Sequence, residues 1–205
     1  MHDEVLNTAQ GELLPLMSQF RREFYLVGGT AIALNIGHRR SVDFDMFKLA
    51  PLRPKKILDM IEGASFKAMV TRRVEGQLNL IVNGVKLTFF QYPFKVAAEG
   101  KFRDVFRMPS LLSLAAMKAY ALGRRSKWKD YVDLYFLLNG HFSIAEISSR
   151  ASELFGDLFS EKLFRAQLSY FDDVDYTEEV EYIIDSPPSD EVVKESLVRL
   201  SVNGI

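Results

Sequence analysis

The sequence predicts an α+β protein. Its N-terminal lobe, residues 1–108, combines strands with helices, and its C-terminal lobe, residues 109–205, is all-helical. Three observations predict this. Short apolar or alternating runs recur through about residue 91, as strands require. Asn83-Gly84 divides two such runs and is a strong hairpin signal. After Pro109 every apolar pattern has helical spacing.

The elements follow in order. Residues 4–22 carry Val5, Leu6, Leu13, Leu14, Leu16, Met17 and Phe20 at helical spacing, with Pro15 expected to kink or split the helix. Phe24–Val27 reads as a buried strand ending in Gly28-Gly29. Thr30–Ile36 reads as a short helix closed by Gly37. Ser41–Phe47 alternates, with Val42, Phe44 and Met46 on one face and Asp43 and Asp45 on the other. A helix is expected at Lys55–Glu62, and strands at Phe66–Val74, Leu78–Val82 and Val85–Gln91. Residues 92–109 read as a basic loop. Helices are then expected at Leu111–Gly123, Trp128–Leu138, Ile144–Phe155 and Glu161–Phe171, with a last one from Ser189 to about Leu200.

Composition excludes several chemistries. The absence of cysteine removes disulfides, thiolate metal sites and cysteine nucleophiles. Only three well-separated histidines are present, so no two-histidine metal motif exists. The N-terminus lacks signal-peptide features, and the longest apolar stretch, Leu26–Ile36, is too short to span a bilayer. A cytoplasmic protein without membrane contact is expected. The net charge of −1 hides a sorted distribution: residues 53–130 carry +10 and residues 131–205 carry −10. The basic part suggests an anionic partner. The acidic part is expected to cover some of that basic surface or to dock a basic partner.

Gly28-Gly29, a short helix and Asp43-x-Asp45 form one constellation. Glycines at a strand–helix turn let backbone N–H groups approach phosphate, helped by the helix N-terminus. Two aspartates at i, i+2 share a strand face and offer hard oxygen donors suited to Mg²⁺. Taken singly, a Gly-Gly is usually a turn and an Asp-x-Asp a solvated strand face; their spacing is what makes them specific. A Rossmann site lacks its third glycine, and no Gly-Lys-Ser/Thr of a P-loop follows. His38, beside Arg39 and Arg40, reads as a loop-packing group rather than a base.

The stretches Val27-Gly28-Gly29-Thr30-Ala31-Ile32-Ala33-Leu34 and Gly37-His38-Arg39-Arg40-Ser41-Val42-Asp43-Phe44-Asp45-Met46-Phe47 resemble the AbiEii/AbiGii-type nucleotidyltransferases. These are DNA polymerase-β-like enzymes, many of them toxins of toxin–antitoxin or abortive-infection systems. Ala116-Met117-Lys118, followed by Lys129-Asp130-Tyr131-Val132-Asp133-Leu134-Tyr135, resembles the family's later motif. The resemblance implies a polymerase-β-like lobe completed by the helical lobe, with the substrates between them. It implies that Gly28, Gly29 and Thr30 cradle a nucleoside triphosphate and that Asp43 and Asp45 hold Mg²⁺, with Mn²⁺ as an alternative. Lys118 would contact nucleotide phosphates and Asp130 would complete the late motif. Arg39 and Ser41 would contact phosphate or fix the loop. A structural salt-bridge network between helices is the competing reading for Asp130 and Asp133.

One position departs from the pattern. The family's third carboxylate is expected where Val85-Lys86-Leu87-Thr88 places Thr88, and a threonine is neither an anionic ligand nor a carboxylate base. The expected activity is transfer of a nucleoside monophosphate from an NTP to a hydroxyl, with tRNA or another RNA as acceptor and an antitoxin protein as partner. Two alternatives stay open: transfer to a protein or small molecule, and a catalytically weakened relative that binds nucleotide or a partner.

Overall fold

The computed structural model describes residues 1–122 and 124–203. It divides into two compact units, Met1–Ser110 and Leu111–Ile205.

In the first unit a short 3-10 turn, Asp3–Val5, precedes helix α1, Thr8–Phe20. The single helix expected over 4–22 is thus shorter at its start. The reason is Asn7, which caps Gln10 while the Gln10 side chain returns to the Asn7 N–H, closing a capping box. Pro15 lies inside α1 without splitting it. The backbone bond it forfeits is tolerated because Leu13, Leu16, Met17 and Phe20 stay buried on one face.

Strand β1, Tyr25–Val27, leads directly into helix α2, Gly28–Ile36, so the glycine pair opens the helix rather than standing before it. Gly37 ends α2 in the left-handed region, at φ 68°. Strand β2 is Asp43–Lys48 and helix α3 is Pro54–Gly63, started by Pro54 in the first turn. Strands β3, Ala68–Val74, β4, Gln77–Val82, and β5, Val85–Gln91, follow. Asn83 (φ 50°) and Gly84 (φ 77°) supply the two positive-φ residues that the β4–β5 hairpin needs.

The sheet order is β1-β2-β5-β4-β3. β2 and β5 run parallel, and the other neighbours run antiparallel. On one face, Phe44, Met46, Leu78, Leu80, Leu87 and Phe89 are buried. Phe20, Phe24 and Phe89 meet there edge to face, with centroids 5.0–6.1 Å apart. The other face is only half covered and carries Asp43, Asp45 and Lys86, while Lys48 ends β2 on the buried face. β3 is an edge strand, exposed along nearly its whole length, with a register shift between Val70 and Arg72.

The segment read as a basic loop contains a small hairpin, β6 (Gly100–Phe102) with β7 (Phe106–Met108). Its basic residues masked three anchors, Phe102, Phe106 and Met108, which are all buried. Phe106 lies against Phe44, with ring centroids 5.2 Å apart.

The second unit consists, among the described residues, of helices α4 (Leu111–Leu122), α5 (Trp128–Gly140), α6 (Ile144–Phe155), α7 (Glu161–Leu168) and α8 (Asp190–Val202). The expected end of α4 at Gly123 lies outside the described residues. α7 stops at Leu168 rather than Phe171, because Tyr170 and Phe171 turn onto α5. The Tyr131 hydroxyl donates to the Tyr170 carbonyl at 3.0 Å, and Phe171 packs on the Tyr131 ring. The acidic stretch beyond wraps the start of α5. Asp175 pairs by backbone with Ser126 and Trp128, and Glu178 pairs with Lys127 and Lys129. Part of the acidic tail therefore neutralises basic residues flanking the start of α5.

Phe89 joins α1 to the central strand through two aromatic partners. Phe89→Ala should lower unfolding free energy by about 3–5 kcal/mol, read from urea midpoints at unchanged m-value.

Candidate active site

Gly28, Gly29, Thr30, Arg39, Ser41, Asp43 and Asp45 converge in the first unit. The antiparallel register of β1 with β2 sets Val27 opposite Asp45, so the residue after β1 arrives beside that carboxylate. Gly28 has φ 74°, and a Cβ there would collide with the Asp45 carboxylate. Only glycine satisfies both conditions. A Cβ on Gly29 would lie 2.6 Å from Nη2 of Arg39. The start of α2, with its outward N–H groups and partial positive charge, thus lies against Asp45 on one side and Arg39 on the other.

Hydrogen bonds lock the loop between α2 and β2. Thr30 donates to the Asp43 carbonyl, and its hydroxyl and that of Ser41 are bonded at 2.8 Å. Arg39 is 2 % exposed and donates from Nη1 to the Arg40 carbonyl at 2.8 Å, a loop-fixing contact. His38 is buried beside it, in keeping with a packing group. Gln10 of α1 donates to the Ser41 carbonyl at 2.8 Å while wholly buried. Sequence reasoning missed Gln10; its signal was an amide on the apolar face of α1.

Asp43 and Asp45 share the half-covered sheet face. Their β5 neighbours in register are Lys86 and Thr88. Thr88 is therefore the strand residue directly beside Asp45. Lys86 Nζ lies 3.7 Å from Asp43 Oδ2. Sequence reasoning gave Lys86 no role, although it has the same strand parity as Thr88. The row through Asp45 continues across the sheet as Thr88, Asn79 and Arg72, reaching the edge about 14 Å away at strand spacing. The next row holds Phe47 and Phe90, with ring centroids 5.2 Å apart. Two carboxylates on one strand face, beside a helix start, suit one hard divalent cation and a phosphate group. Among the described residues no group of three His, Cys, Asp or Glu side chains could hold a metal.

Lys118 and Asp130 meet one another in the second unit. Lys118 is 4 % exposed, and its ammonium binds Asp130 Oδ1 at 2.6 Å and Asp133 Oδ2 at 2.9 Å. Asp133 is fully buried. Arg125 adds a second cation, 2.9 Å from Asp130 Oδ2. Burial alone would raise the Asp130 pKa, but the charges of Lys118 and Arg125 outweigh it and hold the carboxyl below its usual value.

The glycine-started helix, the paired strand carboxylates and the mixed sheet define a nucleotidyltransferase. Comparison with known proteins agrees. The model of the "Nucleotidyl transferase AbiEii toxin, Type IV TA system" family matches residues 16–188. The chain belongs to that family. An uncharacterized protein of Aquifex aeolicus (strain VF5) is 28% identical over 160 residues, covering 74% of this chain and 75% of its own. Among solved structures, MenT4, a nucleotidyltransferase toxin of Mycobacterium tuberculosis H37Rv, superposes with a TM-score of 0.63 at 16% identity, covering 95% of this chain and 80% of its own. The antibiotic-resistance factor ANT(2'')-Ia gives 0.52 at 14% identity, covering 73% and 90%. At these identities the two solved structures speak for the shared fold. No helix among the described residues is long and apolar enough to cross a membrane.

The Lys118 cluster makes a stability prediction. Lys118→Met leaves Asp133 buried without its ammonium and should cost about 3–5 kcal/mol. The folded-state pKa of Asp130 lies below the unfolded value of about 3.9, so its stabilisation is complete above that value. It is lost as pH falls through the lower folded value. Urea midpoints between pH 7 and pH 2.5 should therefore drop more steeply below about pH 4 in the wild type than in Asp130→Asn.

Proposed function

We propose that the protein transfers a nucleoside monophosphate from an NTP to a hydroxyl of RNA, with tRNA the favoured class of acceptor. The observation that carries this reading is the approach of Gly28 to Asp45, which puts the start of α2, suited to phosphate, against that carboxylate. In the reaction the acceptor oxygen attacks the α-phosphorus and forms the new P–O bond. The bond to the β-phosphate bridging oxygen breaks, and pyrophosphate leaves with that electron pair. The hydroxyl proton passes to one of the site carboxylates.

Each residue has a stated task. Backbone N–H groups of Gly28, Gly29 and Thr30 bind triphosphate oxygens. Arg39, Ser41 and Gln10 hold the loop so that Asp43 and Asp45 keep their spacing. Asp43 and Asp45 would hold Mg²⁺ or Mn²⁺, which supplies charge neutralisation at the phosphates when bound. Lys118, paired with Asp130 and Asp133, fixes α4 on α5 within the second unit. Phosphoryl transfer needs mainly positioning and charge, and this residue set supplies both.

An RNA acceptor is favoured by the polar row Thr88, Asn79 and Arg72 leading from Asp45 to the sheet edge. The half-buried rings of Phe47 and Phe90 beside it would stack a base. The cytoplasm is the proposed compartment and an antitoxin protein the proposed partner.

Incubation with each α-³²P-labelled NTP, Mg²⁺ and total tRNA tests the reading. Wild type should label RNA, and Asp43→Ala should lower the rate on the order of a thousand-fold. Label appearing on protein instead of RNA would refute the acceptor, and undiminished labelling by Asp43→Ala would refute the site. Arg72→Glu should weaken RNA binding and lower the slope of log affinity against log salt by about one, with NTP binding unchanged.

A further inference from the structure

The neighbours of the carboxylate pair are unusual for a site that moves a nucleotidyl group. Every residue in register with Asp43 and Asp45 on the adjoining strands is known: Val27 on β1, and Lys86 and Thr88 on β5. The next strand supplies Ile81 and Asn79. None is acidic. In the position beside Asp43 stands a cation instead, the Lys86 ammonium 3.7 Å from Oδ2. Both side chains keep solvent access, at 47% and 35% exposure, so the pair can receive a substrate.

Charge balance decides how many metal ions such a site takes. Three carboxylates around two divalent cations leave one net positive charge for the triphosphate and the attacking oxygen. Two carboxylates with one lysine reach the same net charge with one divalent cation. A second divalent cation beside Lys86 would face a like charge at about 4 Å without a third carboxylate to offset it. Its coordination would also rest on a threonine hydroxyl, a neutral donor.

We infer that this is a one-cation nucleotidyltransferase site, in which Lys86 occupies the place of the second metal ion. This rests on the reading of Asp43 and Asp45 as a metal and nucleotide site. Lys86 would supply one positive charge at the α-phosphate, and the divalent cation held by Asp43 and Asp45 would supply the rest. The ammonium is a compact point charge on a flexible stem, so it can shift from Asp43 toward the α-phosphate as charge develops there during transfer. Thr88 is the companion change: with a lysine supplying the charge, a third carboxylate beside Asp45 has no second ion to hold.

Equilibrium dialysis of the full chain against MnCl₂ and each non-hydrolysable α,β-methylene NTP analogue tests this without turnover. Wild type should retain one Mn²⁺ for every nucleotide bound. The double variant Lys86→Ala/Thr88→Asp should retain two. Lys86→Met alone should keep the nucleotide dissociation constant within about threefold while lowering kcat about a hundredfold or more. Two Mn²⁺ per nucleotide in the wild type would overturn the inference and leave the proposed function standing. A double variant that still holds one ion would equally remove Lys86 from the explanation. Retention of neither Mn²⁺ nor any analogue by the wild type would overturn the proposed function and this inference with it.

Discussion

The Thr30 hydroxyl reaches from the first turn of α2 to the backbone carbonyl of Asp43, while Gln10 holds the Ser41 carbonyl from α1. These bonds tie two helices to the loop before β2 and to its first residue. They carry the geometry of the whole site, because the loop they fix is otherwise a short polar connection that would sample many conformations. With it fixed, β2 enters the sheet in the register that sets Asp45 opposite Val27, and Gly28 can lie flat against the Asp45 carboxylate. A slip of one residue would turn both aspartates into the core and expose Phe44 and Met46. The buried face therefore enforces the active face: Phe44, Met46 and Phe89 cannot leave the interior without taking the carboxylates with them.

Charge is handled in two contrasting ways. In the first unit the carboxylates remain accessible, with a half-exposed lysine beside one of them. In the second unit Asp130 and Asp133 are buried and bound to one ammonium at short range. A buried ion cluster adds little net stability over an apolar core, but it is severe on any arrangement that separates its members. Such a cluster holds α4 and α5 in a single register.

Much of this was legible in the residues. Alternation made β2 and the position of its aspartates readable, and Asn83-Gly84 revealed the β4–β5 hairpin. Other parts depended on contacts distant in sequence. The β6–β7 hairpin escaped notice because its three-residue strands are shorter than any periodicity can register, and its basic residues pointed to a loop. Pro15 suggested a break that burial of Leu16, Met17 and Phe20 prevents. Lys86 carried no local signal, since its meaning comes from a parallel pairing with Asp43, 43 positions earlier in the chain. The fate of Lys118 was readable only as a choice between a ligand contact and an ion network; its two carboxylate partners show that the network exists.

The β3 edge has a consequence for the company the molecule keeps. An uncovered strand presents a ladder of unpaired amides and carbonyls, the usual point at which identical sheets join edge to edge. Here the shift between Val70 and Arg72 spoils the regular spacing of that ladder, and Arg72 and Arg73 would bring like charges together in an antiparallel union of copies centred on them. Met69, Val70 and Val74 are exposed along the same strand and would otherwise favour such a union. The arginines and the bulge act as a guard against self-templated growth, so the open face of the sheet can stay wet and reachable instead of disappearing into a stack of its own kind.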